Sequence, residues 1–171
     1  LSKSDRMIRL LQGDVGSGKT IVALAGLFHT AGSLKQGAMM APTELLARQH
    51  YEGIRDLCFK SNINVNILTG KTKKKDREII LRDLKEGKID IIIGTHALFQ
   101  EKVVFNDLGL VVIDEQHRFG VHQRLSLTSK SKNYPPDILI MSATPIPRTL
   151  ELTAFGSMQV SRLLDKPKGR K

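Results

Sequence analysis

Residues Gly13-Asp14-Val15-Gly16-Ser17-Gly18-Lys19-Thr20 satisfy the pattern G-x-x-x-x-G-K-S/T at every fixed position. No other stretch constrains the fold as strongly, because the pattern works only as a loop between a strand and a helix. Its glycines let backbone N–H groups turn toward a phosphate, and the helix that follows adds its positive N-terminal end. Lys19 is suited to reach the β- and γ-phosphates, and the Thr20 hydroxyl to ligate Mg²⁺. The flanks agree. An apolar run (Ile8, Leu10, Leu11) precedes the loop, and Ile21, Val22, Leu24, Ala25, Leu27 and Phe28 follow it with helical spacing. A dinucleotide fingerprint fails, since Ile21 stands where its third glycine belongs. The loop predicts a nucleoside triphosphate site.

Beyond it, apolar runs alternate with amphipathic ones. Ala38 to Ala41 reads as a strand stopped by Pro42, and Thr43 to Lys60 as a helix carrying Leu46, Tyr51, Ile54, Leu57 and Cys58 near one face. Val65 to Leu68 is a strand, followed by a basic turn from Gly70 to Lys75 and a helix from Asp76 to about Lys85. Ile89 to Ile93, Leu110 to Ile113 and Ile138 to Met141 are further strands, the last after a loop from Ser131 to Pro136. Such alternation predicts a three-layer α/β/α domain with a mainly parallel sheet, covered on both faces. Gly13, Thr43, Thr95, Asp114 and Ser142 all fall at or just after predicted strand ends, the edge where open α/β sheets bind ligands.

Composition narrows the partners. The 171 residues carry 27 Lys and Arg against 17 Asp and Glu, a formal net charge of +10 that favours a polyanion such as nucleic acid. Lys71, Lys73, Lys74, Lys75 and Arg77 concentrate that charge beside Thr69-Gly70, where a solvated loop and a phosphate-binding turn weigh about equally. The single cysteine, Cys58, excludes an internal disulfide and is expected to be a buried, inert thiol. No apolar stretch approaches the roughly 20 residues of a membrane span, and no signal peptide opens the sequence, so a cytoplasmic location is expected. His117 and His122 are spaced off one helical face, which argues against zinc, and no G-x-S-x-G turn supports a catalytic serine.

Leu110 to Ile113 ends in Asp114-Glu115. An acid at a strand end can hold Mg²⁺ opposite Thr20, and Glu115 is suited to accept a proton from the water attacking the γ-phosphate. Asp114-Glu115-Gln116-His117 resembles motif II of superfamily-two helicases, Ser142-Ala143-Thr144 their motif III, Ala41-Pro42-Thr43-Glu44-Leu45-Leu46-Ala47 their motif Ia, and Gly94-Thr95-His96-Ala97-Leu98 a further DNA-contacting motif, Ib. The longer blocks Leu11 to Thr20, Asp114 to Arg124 and Met141 to Leu150 resemble the RecG family of bacterial ATP-dependent DNA helicases over residues 6 to 165. The related transcription-repair coupling factor motor, the alternative, usually has a second glutamate where Gln116 stands.

The resemblance implies a RecA-like ATP-binding motor domain over residues 1–165 and a basic linker over 166–171. It assigns Lys19 and Thr20 to phosphate and Mg²⁺, Asp114 to the metal and Glu115 to the water. Gln116 and His117 would sense the γ-phosphate of ATP and signal to the coupling segment Ser142, Ala143 and Thr144. Thr43, Thr69, Gly70, Thr95 and His96 would contact the DNA backbone, independently of sequence. The implied partners are branched or forked duplex DNA, an N-terminal wedge domain and a second RecA-like domain, both absent from this chain; a monomer is expected. The motif VI arginines and the adenine-reading glutamine motif are likewise missing. An arginine supplied across the cleft can be worth on the order of 10³–10⁵ in turnover. Weak nucleotide binding, very slow hydrolysis and no unwinding are therefore expected of these residues alone. The competing class is a nucleotide- or DNA-binding fragment without catalysis. A transporter ATPase or GTPase is disfavoured, because neither LSGGQ nor N-K-x-D occurs.

Overall fold

In a computed structural model that describes residues 7–114, 135–144 and 159–163, the alternating runs become seven strands and three α-helices. They follow as β1 (Ile8–Gly13), α1 (Lys19–Gly32), β2 (Gln36–Met40), α2 (Glu44–Lys60), β3 (Val65–Leu68), α3 (Lys74–Lys85), β4 (Ile91–Gly94), a 3-10 turn (His96–Phe99), β5 (Leu108–Ile113), β6 (Asp137–Ser142) and β7 (Gln159–Leu163). The strand order is β3-β4-β2-β5-β6-β1-β7, and every pairing is parallel. This is the expected RecA-like α/β fold.

Successive side chains on a strand face opposite sides, so strands apolar at every position need cover on both. Ala38, Met40, Ile92, Val111 and Ile113 pack on one side with Ile80 and Leu84 of α3. Met39, Ile91, Ile93, Leu110 and Val112 pack on the other with Leu27 of α1 and Ile54 of α2. The sheet is thus the middle of three layers.

Three details depart from the sequence expectation. Leu57 is half exposed, while α2 buries Ala47, Ile54 and Cys58. At about 100° per residue, Ala47, Tyr51, Ile54 and Cys58 lie within about 60° of one another, whereas Leu57 stands about 80° off Ala47. Helix α3 begins at Lys74, not Asp76. Strand β7 was not expected at all. It lies at the sheet edge against β1, held by its backbone ladder and by polar contacts such as Arg9 Nη1 donating to Ser161 Oγ at 2.7 Å. The expected domain end near residue 165 and the linker after it lie outside the described residues, as does most of the loop from Ser131 to Pro136.

At the opposite edge from the strand C-termini, the buried side chain of Gln36 stitches three segments together. Its Nε2 donates to the carbonyls of Leu84 and Ile89 at 2.9 and 2.8 Å. Its Oε1 accepts from the amides of Asn106 and Asp107 at 2.7 and 3.2 Å. Both donors and both acceptor positions of the amide are used. Gln36→Leu, of similar volume, would leave the Ile89 carbonyl and the Asn106 and Asp107 amides without this partner, while the Leu84 carbonyl keeps the Gly87 amide, at a cost of about 3–5 kcal/mol. Urea unfolding should show a lower midpoint at unchanged slope, and a loss below about 1 kcal/mol would refute this account of Gln36.

Cys58 is buried, and desolvation together with the negative charge of Asp90 raises its thiol from 9.0 to about 11. The native state therefore holds this proton more tightly than the unfolded chain does. Its contribution to stability is present below about pH 9 and is lost as pH rises toward 11. At pH 8 alkylation by iodoacetamide should be slow in the folded chain and accelerate on adding denaturant. Fast labelling of the native protein would contradict the burial.

Candidate functional site

Strand β1 ends at Gly13, and α1 starts six residues later at Lys19. The turn between them needs glycine. Gly16 and Gly18 take φ of +82° and +93°, and a Cβ on either would meet no atom of the described residues within 4 Å. A Cβ on Gly13 would stand 2.5 Å from Ser17 Oγ. The loop closes on itself through the Ser17 amide donating to the Asp14 carbonyl at 3.1 Å. Gly18 caps α1 with no side chain accepting from the helix's first N–H groups, and no acid occupies its first turn. The helix end is left open to an anion, which its dipole favours. Lys19 Nζ donates to the Gly13 and Asp14 carbonyls at 2.6 and 2.8 Å, so a full positive charge lies against the loop. Ser17 Oγ is buried with no partner among the described residues. These features fit a bound triphosphate, and Thr20, partly buried in the same first turn, fits as a ligand to its cation.

Parallel pairing sets what stands beside this loop. Gln12 of β1 pairs with Ser142 of β6, and Ile113 of β5 with Ile140 of β6. With strands about 5 Å apart, the end of β5 is about 10 Å from the loop's strand, and Ser142 stands between. Asp114 follows β5 directly. Its amide donates to the Met40 carbonyl at 2.9 Å, and its Oδ2 lies 2.9 Å from Nε2 of His50 on α2. Both side chains are nearly buried. Ser142 Oγ donates to the Thr144 carbonyl at 3.0 Å and accepts from the Thr144 amide at 3.2 Å, which folds Ser142-Ala143-Thr144 into a tight turn. Glu115, Gln116 and His117 lie outside the described residues.

The residues expected to contact DNA follow β2, β3 and β4 on the same edge, but their side chains differ in access. Thr43 caps α2, its Oγ1 accepting from the Leu46 amide at 3.3 Å. Thr69 is 1% exposed, and its hydroxyl accepts from the Lys71 amide at 3.3 Å. Thr95 is 5% exposed, with Oγ1 buried and without a partner among the described residues. Burial removes the Thr69 and Thr95 hydroxyls from the surface, leaving Gly70 and His96 exposed beside them. Lys71, Lys73, Lys74 and Lys75 are exposed, and Lys71 Nζ lies 3.7 Å from Glu44 in the first turn of α2. The basic turn therefore adjoins the helix that Thr43 caps. The sequence reading missed His50. Its partner lies 64 residues away, and no local spacing announces that contact.

With this geometry in place, the relatives can be compared. A family model for DEAD/DEAH box helicases matches residues 2–153. The ATP-dependent DNA helicase RecG of Staphylococcus epidermidis is 54% identical over 97% of the chain, and that of Bacillus subtilis 52% identical over all of it. The chain spans about a quarter of the length of these relatives, 24% and 25%. Among solved structures, RecG bound to a three-way DNA junction superposes with a TM-score of 0.82 at 45% identity, over 99% of this chain and 22% of that one. The DEAD-box helicase Mss116 bound to single-stranded RNA superposes at 0.75 over 96% of this chain and 38% of that one; at 18% identity it bears on the fold alone.

Removing the Lys19 charge tests the loop directly. Lys19→Ala deletes a charge-assisted bond of about 1.5–3 kcal/mol and should weaken ATP binding at least tenfold by calorimetry. A variant binding ATP as tightly as the parent would remove the loop from the nucleotide site.

Proposed function

The chain belongs to the DEAD/DEAH box helicase family, and from that premise we propose that it is the ATP-binding motor domain of a RecG-like DNA helicase. In this reading the motor couples ATP hydrolysis to translocation on duplex DNA and to remodelling of branched DNA in recombination and repair. The observation that carries it is the single edge where Gly13, Thr43, Gly70, Thr95, Asp114 and Ser142 all leave parallel strands. Nucleotide residues and candidate DNA residues share one rigid sheet, so a change at one end of the edge is felt at the other.

The roles follow from position. The N–H groups of the loop from Gly13 to Thr20 and the ammonium of Lys19 bind the phosphates. Thr20 and Asp114 would hold Mg²⁺, which would supply positive charge against the developing negative charge of phosphoryl transfer. Glu115 orients the attacking water and takes its proton. Gln116 and His117 sense the γ-phosphate and act on the turn Ser142 to Thr144. Thr43, the backbone of the Thr69-Gly70 turn and of Thr95, and the exposed His96 contact DNA phosphates, with Lys71 to Lys75 adding charge. Recognition of forks and junctions, and the arginines completing the ATP site, belong to a wedge domain and a second RecA-like domain of a full-length protein acting in the cytoplasm. The described residues include no helix long and apolar enough to cross a membrane.

Steady-state hydrolysis with and without a three-way DNA junction tests this, comparing the chain with its Glu115→Gln variant. We expect weak but measurable ATP binding and very slow turnover that the substitution lowers further. Absence of ATP binding would overturn the reading, and turnover indifferent to Glu115→Gln would remove Glu115 from the chemistry.

A further inference from the structure

A carboxylate that holds a cation has to keep one oxygen turned outward. Left alone, the Asp side chain rotates through a broad, roughly two-fold torsion. Asp114 is not left alone. Its Oδ2 is 2.9 Å from His50 Nε2, the two side chains are 14% and 13% exposed, and its amide is tied to the Met40 carbonyl. An ionised carboxylate only accepts hydrogen bonds, so the ring nitrogen is the donor. That bond occupies one oxygen and restrains the rotation, and Oδ1 is the oxygen to which no described residue is hydrogen-bonded.

His50 is itself held. It sits in the middle of α2, about 60° from the direction of Ala47 and so at the margin of the buried stripe. Ala47, Ile54 and Cys58 anchor that stripe against the sheet, so the backbone that carries the ring is fixed relative to β5.

We propose that His50 is a positioning residue for the Asp114 carboxylate, fixing through its Nε2–H bond the oxygen that Asp114 offers to Mg²⁺. The inference rests on the reading of Asp114 as the metal-holding acid. Outer partners of this kind typically change metal affinity by about 10- to 100-fold when removed.

The test is the affinity of the 171-residue chain for ADP by calorimetry, once with Mg²⁺ and once with EDTA, and the ratio of the two constants. Thermal melts check that each variant folds. His50→Phe keeps a ring but no donor, and the gain from Mg²⁺ should fall about tenfold. His50→Gln places an amide N–H within reach of the same oxygen and should recover most of that gain. A purely packing role would give the reverse order, with Phe better tolerated than Gln. If His50→Phe does not fold, His50→Ala is read in its place. Asp114→Asn is the reference and should lose the gain. Should Asp114→Asn lose it while the donor-less His50 variant keeps the full ratio, the positioning role is overturned and Asp114 stands. Should the parent chain gain nothing from Mg²⁺, or Asp114→Asn retain the gain, the reading of Asp114 falls and this inference with it.

Discussion

Parallel strand pairing is the constraint on which everything else in this molecule depends. Parallel neighbours cannot be joined by a hairpin, so the chain must cross back over the sheet before each new strand begins. Every strand then points the same way, and each crossover leaves from one edge and returns to the other. The loop after β1, the cap of α2, the basic turn after β3, Thr95 and Asp114 come to lie along one edge for that reason alone. They span more than 100 residues of sequence, and no local attraction among them is needed.

The two edges are chemically unlike. Among the described residues, the buried side-chain atoms without a partner are Ser17 Oγ and Thr95 Oγ1, and both stand at the strand C-termini. Buried polar groups are ordinarily satisfied, so orphans of this kind mark an edge shaped for something other than its own stability. The open end of α1 and the Lys19 ammonium held on two carbonyls belong to the same pattern. At the strand N-termini, by contrast, Gln36 uses every hydrogen-bonding position it has.

Much of this was legible in the residues. Leu110 to Ile113 and Ile138 to Met141 announce themselves because strands buried on both faces have no polar alternation to blur them. The phosphate loop was legible because its backbone demands glycine at fixed places, and Gly16 and Gly18 do take left-handed angles. What escaped notice depended on distant partners. The segment Gln159-Val160-Ser161-Arg162-Leu163 has no apolar run, and it is a strand only because β1 offers it a ladder. Leu57 looked like core by type, yet the sheet receives the stripe through Ala47, a residue too small to attract attention. Thr69 and Thr95 matched by motif, but their burial turns the hydroxyls inward, which no motif encodes. Glu115, Gln116 and His117 are read from sequence and resemblance alone.

The Gln36 stitch has a mechanical meaning. It ties the start of β2 to the end of α3, the approach to β4 and the approach to β5, all on the side away from the motifs. Opening that end would break several buried bonds together, whereas loops at the other end can shift by exchanging bonds with water or ligand. Force generated among loops does no work unless something resists it. In this domain the Gln36 amide adds four hydrogen bonds to the sheet's own ladder at the rim away from the motifs, so that rim is braced at the point where three crossovers meet.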